Sequence, residues 1–328
     1  MTRRRIAVPR QLYLLIVLAV IATVFGIGSP KYLTAGNISN IIANNFEIGL
    51  VAVAMTLVIL MGGMDMSVGS IVALSSILTG TLNITLGLSL SASILLALCA
   101  GILIGALNGA LVIWLENANP MIITIGTMVL FSALATLITE GWTISGFEKA
   151  FEAFSYSRIL GVKGTIILLI ALIAAGQWML THTMFGNFLY AMGNNEKSAY
   201  FAGVRVKRIK FLIYVVSGFT AALAGVFLTS RMQTSYPDAG SGYHMEAIAC
   251  IVIGGASISG GEGNLIGTFI GFLIIAALKN GMSLMGISSL TQMVFTGIVL
   301  IFTIWVNNAI RERELRRSLL AVKENITR

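Results

Sequence analysis

The charged residues of this chain stand at the borders of long uncharged stretches, and this spacing limits the possible folds more than any other feature. Asp65 and Glu116 enclose 50 uncharged residues, and Lys279 and Arg311 enclose 31. A helix needs about 20 predominantly apolar residues to cross the hydrocarbon core of a membrane. Stretches this long are typical of membrane spans, so the sequence predicts an all-α integral membrane protein.

The composition excludes several other classes of protein. Charged residues make up 10% of the chain and hydrophobic residues 57%, whereas a soluble domain usually carries about 25% charged residues. An ordinary globular enzyme, a disordered chain and a nucleic-acid-binding protein are therefore excluded. The net charge of +8 does not point to nucleic acid, because the basic residues cluster outside the apolar stretches. We expect a lipid membrane as the surroundings and no nucleic acid as a partner.

The lengths of the apolar stretches predict about ten transmembrane helices. Three of them are short: the one that ends before Asp65 and the two that flank Glu262. Short spans of this kind indicate broken or half helices. A turn near Gly87 is expected to divide the longest stretch into two spans.

The distribution of basic residues predicts the orientation. Fifteen of the 21 basic residues lie in residues 3–10, 197–210 and 311–328. The positive-inside rule places these three segments in the cytoplasm, and ten spans return both termini to that side. The chain is expected to be one transmembrane domain, residues 1–328, with a cytoplasmic N-terminus (1–10), a cytoplasmic loop (182–210) and a cytoplasmic C-terminal tail (307–328).

The first span is predicted to be an uncleaved anchor. Arg3, Arg4 and Arg5 precede it, as basic residues precede the apolar region of a signal peptide. The apolar stretch is too long for such a region, however, and no small-residue cleavage pattern follows it.

One short pattern occurs twice. Residues 62–69 read G-G-M-D-M-S-V-G and residues 254–261 read G-G-A-S-I-S-G-G, so both fit G-G-x-x-x-S-x-G at an offset of 192 residues. Glycine pairs interrupt a membrane helix, and irregular backbone at membrane depth must face protein or a water-filled cavity. Matching interruptions in two halves of a chain point to a transport site near the midplane. We interpret these two glycine motifs as an internal repeat; recurrence of glycine-rich turns by chance is the alternative.

Polar residues in and before the glycine motifs are candidates for a solute pathway. A carboxylate inside a span, such as Asp65, costs roughly 2.5–3.5 kcal/mol on insertion scales and is a functional candidate by default. Asp65 either lines the pathway or caps the helix that begins near Ser67, where the helix dipole favours negative charge. Glu47 either faces the pathway or sits at an outer membrane boundary. The candidate pathway residues are Asn45, Glu47, Gly62, Gly63, Asp65, Ser67, Gly254, Gly255, Ser257 and Ser259.

Two glycine stripes and one lysine have structural interpretations. Glycines recur every fourth position in two helices, and such spacing predicts close helix packing within the bundle or between two copies. The two stripes are Gly101, Gly105, Gly109 and Gly263, Gly267, Gly271. Lys279 is expected to extend its ammonium group outward from the end of its span.

The loop of residues 182–210 contains a segment with helical character between Gly193 and Gly203. Asn194 or Asn195 is a candidate cap for its start, and Gly203 for its end. A short helix there would present a docking surface to a cytoplasmic partner. A solvated loop that binds lipid headgroups through its basic residues is the alternative.

No arrangement typical of an enzyme occurs in the sequence. There is no G-x-x-x-x-G-K-[ST] phosphate loop, no G-x-S-x-G and no H-E-x-x-H. The two histidines and two cysteines lack metal-ligand spacing. We expect no catalytic residue, metal or cofactor on this chain, so any ATP used in transport must be hydrolysed by another subunit.

Four segments in order carry a family resemblance. They are residues 33–40 with 50–70, residues 119–128 (N-P-M-I-I-T-I-G-T-M), residues 186–203, and residues 246–261 followed by further glycines. Together they resemble the membrane permease subunits of bacterial ABC importers for sugars, the ribose-permease type, over about residues 32–306. The chain departs from that pattern at Met64 and Met66, at Asn187, and at Lys197-Ser198.

The resemblance implies a set of partners in the bacterial inner membrane. Two permeases pair, as a homodimer or with a paralogue, and two ATPase subunits that use ATP and Mg dock on the cytoplasmic side. An extracytoplasmic binding protein delivers the sugar. The coupling segment that contacts the ATPase would contain Gly193, Asn195, Glu196, Ala199 and Gly203.

Two other functions stay open from the residues alone. An ion-coupled secondary transporter would use Asp65 as its ion site. If the chain were a non-transporting scaffold or receptor subunit, its deletion would leave uptake unchanged. Within the importer interpretation the solute also stays open. It is a pentose, a hexose, a furanose, a polyol or a sugar-like signalling molecule, with nucleoside and branched-chain amino acid permeases as related classes to exclude.

Overall fold

The structure, a computed structural model, describes residues 10–299 together with 301, 302 and 305. Most of the predicted N-terminal segment 1–10 and the whole tail 307–328 lie outside these residues. The helices are α1 (Arg10–Gly28), α2 (Ala35–Ala43), α3 (Phe46–Leu60), α4 (Val68–Gly80), α5 (Leu90–Trp114), α6 (Pro120–Thr139), α7 (Lys149–Tyr156), α8 (Gly164–His182), α9 (Met184–Asn194), α10 (Glu196–Phe201), α11 (Val206–Met232), α12 (Tyr243–Ile253), α13 (Leu265–Leu284) and α14 (Ser289–Val299). A π-helical turn, Thr81–Thr85, continues α4, and the turn predicted near Gly87 follows it, with φ of 68° at that glycine.

Two short antiparallel strand pairs connect the helices. β1 (Ile144–Ser145) pairs with β4 (Thr234–Ser235), and β2 (Arg158–Ile159) pairs with β3 (Val162–Lys163). Helix α11 begins just after α10 and ends just before β4. Its 27 residues correspond to about 40 Å. We call the two ends of the bundle the α10 end and the strand end.

The prediction of an all-α membrane protein is confirmed, but the count of spans is lower than expected. By length and apolar composition, six helices in the described part of the chain can cross a membrane, or seven when α2 and α3 are joined across their 51° bend. The sequence predicts about ten. The difference arises because α1, α12 and α14 are apolar but short as described. For example, α12 has 11 residues, or about 16 Å, which is half the thickness of the hydrocarbon core.

Close backbone contacts hold the bundle around α11. Gly105 on α5 packs against α11 so tightly that an added Cβ would lie 2.3 Å from the carbonyl oxygen of Tyr214. On α13, an added Cβ at Gly271 would lie 2.0 Å from the carbonyl oxygen of Cys250 on α12. Glycines of both stripes therefore serve helix packing within the chain, as small residues do in membrane bundles. Gly263 is the exception, because it lies in the loop before α13 with φ of 136°.

The outward surface of the bundle is apolar. Large side chains such as Leu103 on α5, Leu137 on α6 and Ile170 on α8 are exposed in the single chain. Helices that are apolar on their outer faces as well as in the core are suited to lipid rather than water.

Candidate functional site

Asp65 lies at the centre of the first glycine motif, and its carboxylate is fully buried. Oδ1 accepts hydrogen bonds from the backbone N–H (3.0 Å) and the hydroxyl (2.6 Å) of Ser67. Oδ2 accepts a hydrogen bond from the hydroxyl of Ser217 on α11 (2.7 Å). Asp65 therefore satisfies backbone at the start of α4 and ties it to α11, as the capping interpretation predicts.

The backbone freed by the first break is also satisfied. The N–H of Met66 donates to the hydroxyl of Thr124 on α6 (3.0 Å), and the hydroxyl of Tyr214 donates to the carbonyl of Met64 (3.0 Å). Asn108 on α5 donates from Nδ2 to the hydroxyl oxygen of Ser67 (2.8 Å). Three helices thus fix the irregular backbone, as its position inside a membrane protein requires.

Glu47 is buried inside the protein, in the first turn of α3. Its side chain is 2% exposed and pairs with Arg231 on α11, with Nε–Oε1 at 2.9 Å and Nη2–Oε2 at 3.3 Å. The partner is 184 residues away in the chain, and the sequence gives no sign of the pairing. Asn45 lies at the bend between α2 and α3 and donates from Nδ2 to the carbonyl of Ile41 (2.9 Å).

Lys279 also has an ion-pair partner, which is partly buried. Its ammonium group pairs with Glu246 on α12 at 2.9 Å, so the expectation that it extends outward is wrong. At the strand end, Lys163 donates from Nζ to Oδ1 of Asn40 (2.7 Å). Burial lowers the pKa of Lys163, and the charges of Arg158 and Arg231 lower it further.

The two glycine motifs meet at the α10 end, where α9 passes between them. The N–H of Gly261 donates to the carbonyl of Leu60 (3.0 Å) and so joins the second motif to the end of α3. An added Cβ at Gly193 on α9 would lie 2.0 Å from the oxygen of Leu60 and 2.2 Å from the nitrogen of Gly261. An added Cβ at Gly260 would lie 2.8 Å from Cα of Gly62. We call this contact of Gly62, Gly193, Gly260 and Gly261 the glycine junction.

Side chains of α8 and α9 hold the second motif in place. The hydroxyl of Tyr190 donates to the carbonyl of Gly263 (2.9 Å), and Oε1 of Gln177 accepts from the N–H of Leu265 (3.0 Å). Within the motif, the carbonyl of Ser257 accepts from the N–H of Gly260 (3.0 Å), and its N–H donates to the carbonyl of Glu262 (2.9 Å). The second motif is therefore a loop shaped mainly by backbone contacts.

The ten predicted pathway residues do not form one cluster. Asn45 and Glu47 lie at the start of α3, and Asp65 and Ser67 lie inside the first break. Gly62 and Ser259 approach each other at the glycine junction, where an added Cβ at Gly62 would lie 3.8 Å from the oxygen of Ser259. Gly63 follows Gly62, Ser257 shapes the second loop, and Gly254 packs on Gly267 with Gly255 next to it.

The predicted short helix of the loop is present as α10. Asn195 caps its start by accepting from the N–H of Ser198 (2.8 Å), and Gly203 follows its end with φ of 89°. Glu196 pairs with Lys210 at 2.7 Å, and Ala199 is buried. Sequence reasoning missed Tyr200 and Phe201, which are 64% and 85% exposed. Two adjacent aromatic residues in the charged loop of residues 182–210 are the signal that would have identified them.

A cavity of about 350 Å³ opens between α4, α6 and the loop before α12. Apart from Gly69, sequence reasoning singled out none of its residues for a site. Its lining consists of Gly69, Ser70, Ala73, Met128, Val129, Ser132, Thr136, Pro237, Asp238, Ala239, Gly240, Ser241, Gly242 and His244. In the described part of the chain, no cluster of three or more histidine, cysteine or carboxylate side chains is arranged to hold a metal ion.

Comparison with known proteins gives a consistent set of relatives. Residues 37–304 match the family model described as branched-chain amino acid transport system / permease component. The ribose import permease protein of Bacillus subtilis (strain 168) is 41% identical over 290 residues, which cover 88% of this chain and 89% of that protein. The D-allose transport system permease protein of Escherichia coli (strain K12) is 35% identical over 298 residues, 90% of each chain.

A third relative is more distant, and no solved structure matches. The autoinducer 2 import system permease protein of Photorhabdus temperata is 33% identical over 289 residues, 85% of each chain. No solved structure matches the chain. None of these relatives supports the ion-coupled alternative.

Proposed function

The chain belongs to the family described as branched-chain amino acid transport system / permease component, and we propose that it carries a ribose-like sugar or a related polyhydroxylated solute across the inner membrane. It is the membrane permease subunit of an ABC importer. The observation that carries the proposal is the similarity to ribose, allose and autoinducer 2 permeases at 33–41% identity over at least 85% of the chain.

The family description names branched-chain amino acids, whereas these relatives are named for sugars and a sugar-like molecule. We give the relatives more weight because each aligns with most of its own length and most of this chain. The lining of the 350 Å³ cavity also favours a neutral solute, because it contains Asp238 but neither lysine nor arginine. An amino acid carboxylate would call for a cationic or strongly donating partner.

The proposed ATPase contact is α10. This six-residue helix is capped by Asn195 and presents Tyr200 and Phe201 outward. Exposed aromatic side chains are favoured in protein–protein contacts. We propose that a separate ATPase subunit, which binds ATP and Mg, docks there, with Gly193, Glu196, Ala199 and Gly203 shaping the docked segment.

A second permease chain and an extracytoplasmic binding protein complete the proposed assembly. The second permease is identical to this chain or a paralogue. The binding protein would approach the strand end, which lies opposite α10. This chain itself would supply the path through the membrane and no catalytic residue.

The proposed orientation has ten spans and both termini in the cytoplasm. Seven spans, with the bent α2–α3 pair counted once, plus the three shorter apolar helices α1, α12 and α14 make ten. The basic segments 197–210 and 311–328 then lie on the same side of the membrane as α10.

An internal repeat of a helix, a glycine break and a second helix is also proposed. Helices α3 and α12 end in the same turn, in which the N–H after a left-handed glycine donates to a carbonyl five residues back. In the first copy Gly62 has φ of 82°, and Gly63 donates to Val58 (3.0 Å). In the second, Gly255 has φ of 97°, and Ala256 donates to Ile251 (3.1 Å). The two turns are 193 residues apart, one more than the offset of the sequence pattern, so Gly255 takes the place of Gly62 in the turn.

We propose that the ten candidate residues lie at three successive positions along the pathway. Asn45 and Glu47 shape its strand end, and Asp65 with Ser67 fixes the first break. Gly62, Gly63, Gly254, Gly255, Ser257 and Ser259 form the movable part near α10. The close backbone approaches at the glycine junction support this division.

The test is purification of the chain from its native membranes, followed by transport assays in liposomes. Co-purification of an ATPase subunit and ATP-dependent uptake of radiolabelled D-ribose or D-allose are expected. Uptake of solute by the chain alone, driven by a proton or sodium gradient, would refute the proposal and restore the ion-coupled alternative.

A further inference from the structure

The loop between α11 and α12 enters the bundle from the strand end. Val72 on α4 packs against Gly225 of α11 and also against Gly240 of this loop. Gly225 lies seven residues before the end of α11 at Met232, so the loop reaches about 10 Å below that end. The backbone of residues 236–242 therefore lies at membrane depth without forming a helix. Such backbone is tolerated only where it is buried in protein or lines a water-filled cavity.

Glycines hold the loop against α4 at this depth. An added Cβ at Gly69 would lie 2.6 Å from the carbonyl oxygen of Gly240, and one at Gly240 would lie 2.6 Å from Cβ of Val72. Gly240 and Gly242 have φ of 77° and 79°, a conformation that favours glycine. The last glycine of the first motif thus seats the loop, and the loop forms one wall of the 350 Å³ cavity.

Three polar side chains in this wall and opposite it lack hydrogen bonds within the described fold. Nδ1 of His244 is enclosed and has no hydrogen-bond partner within residues 10–299. Over the same residues, the structure gives no hydrogen bond or ion pair to the carboxylate of Asp238 or to the hydroxyl of Ser132. Polar groups left without partners at membrane depth are costly unless water or a solute satisfies them.

The remaining walls combine apolar side chains with the hydroxyl groups of Ser70 and Thr136, which donate to backbone carbonyls of their own segments. Met128 and Val129 of α6 and Ala73 of α4 line the cavity, and no lysine or arginine does so. A volume of about 350 Å³ is at the lower end of the roughly 300–1,000 Å³ of small-molecule sites, which typically combine apolar walls with a few placed polar groups. A carboxylate with neighbouring hydroxyl and imidazole groups suits a neutral solute that carries several hydroxyl groups.

We infer that this cavity is the site through which the permease receives a monosaccharide-sized polyol from the strand end. Asp238 accepts hydrogen bonds from solute hydroxyls at the entrance, and Ser132 and His244 face the solute further in. The inference rests on the proposed function and adds to it a defined site in this chain. It also gives the first glycine motif a second role, since Gly69 supports the wall of the site.

The first test measures transport by the assembled importer in liposomes with radiolabelled D-ribose. Ser132→Phe should fill the cavity and lower ribose uptake at least tenfold. Asp238→Asn, a change of charge without a change of shape at an exposed position, should lower it severalfold. The matched controls are Ala133→Phe on the exposed face of the same helix and Glu140→Gln at the same end. Both should transport normally, and normal uptake by both cavity variants would overturn the inference.

The second test needs no transport. Ser132→Cys and Ala133→Cys are made in a chain in which Cys99 and Cys250 are replaced by serine and alanine. A charged, membrane-impermeant thiol reagent should modify Ser132→Cys at least tenfold faster than Ala133→Cys, and D-ribose should slow that reaction whereas leucine should not. If the unmodified importer transports no sugar, the proposed function fails. The protection experiment then still tests whether a sugar binds in the cavity. Equal rates of modification for the two cysteines would overturn the inference. A rate for Ser132→Cys that D-ribose leaves unchanged would also overturn it.

Discussion

The two glycine motifs share a sequence pattern but are built differently. The first motif is closed around one carboxylate: Asp65 is fully buried, accepts three hydrogen bonds and connects the break to α11. The second motif has Ser257 in the corresponding position and continues as a loop up to Asn264. That loop is held by backbone contacts to Leu60 and by Tyr190 of α9.

This difference suggests a division of labour between the halves of the chain. A buried carboxylate with three donors resists displacement, because moving it would leave charged and polar groups unpaired. A loop with few side-chain bonds, packed on the helix that leads into α10, is suited to move with α10. We therefore regard Asp65 and Ser67 of the first motif as a fixed anchor. The second motif, together with Gly62 and Gly63, is the moving joint between the proposed ATPase side and the membrane path.

The largest effect is expected at the glycine junction. Gly193→Leu should reduce ATP-driven uptake at least tenfold, because even a Cβ at this position would overlap Leu60 and Gly261. Uptake and ATP hydrolysis by the assembled importer measure it, and hydrolysis should continue while uptake falls. Gly126→Leu is the control, since no atom lies within 4 Å of an added Cβ there. Normal uptake in Gly193→Leu would remove the junction from the mechanism.

The next largest effect is expected on the stability of the chain when Asp65 of the first motif is changed, compared with Ser257 of the second. Asp65→Asn should destabilise the chain by about 2 kcal/mol, because hydrogen bonds to a charged group are each worth about 1.5–3 kcal/mol and the amide can replace only part of them. Ser257→Ala should cost less than about 0.5 kcal/mol, as is usual for partly exposed positions. Thermal unfolding in detergent gives both values. Equal costs would mean that the two motifs do not differ as anchor and joint.

A smaller effect is expected from the hydroxyl that ties α9 to the second motif. Tyr190→Phe removes the hydrogen bond to Gly263 and should cost about 1 kcal/mol. Because this contact links the second motif to α9, which leads into α10, more ATP should be hydrolysed for each solute transported. Tyr13→Phe at an exposed position of α1 is the control. An unchanged ratio of ATP to solute would restrict Tyr190 to a structural role.

The smallest effect is expected at the surface pair of Glu116 and Lys207. The hydrogen bond and charge of Lys207 hold the pKa of the Glu116 carboxyl below its usual value. The pair therefore stabilises the fold above the ordinary glutamate pKa of about 4.3, and this contribution is lost as pH falls through the folded-state pKa. Glu116→Gln should barely change the melting temperature at pH 7, since exposed pairs contribute little. A large fall in melting temperature at pH 7 would show that the loop after α5 contributes more to stability than the two glycine motifs.

Local features of the site were predictable from the sequence. Asn195 and Gly203 bound α10 because side-chain capping and left-handed glycines act over a few residues. The stripe on α5 and the pair of Gly267 and Gly271 on α13 were predictable for the same reason, since their spacing alone brings small residues to one helix face. The prediction was wrong for Gly263, because α13 begins after it, at Leu265.

Features that depend on distant parts of the chain were not predictable. The partner of Glu47 is 184 residues away, and that of Lys279 is on another helix, so neither ion pair leaves a local pattern. The cavity is formed by α4, α6 and a loop that enters the membrane, and no property of one segment reveals it. The half helices are also missed when spans are identified by helix length, because part of their path through the membrane is not helical.

The most direct test of the anchor-and-joint account is a pair of spin-label distances in the importer assembled with its ATPase, in a chain without Cys99 and Cys250. One pair joins Lys197 on α10 to Glu262 in the second motif, and the other joins Glu262 to Glu116 beside α5. On addition of ATP the account predicts an unchanged distance for the first pair and a changed distance for the second. A changed Lys197–Glu262 distance with a constant Glu262–Glu116 distance would contradict it.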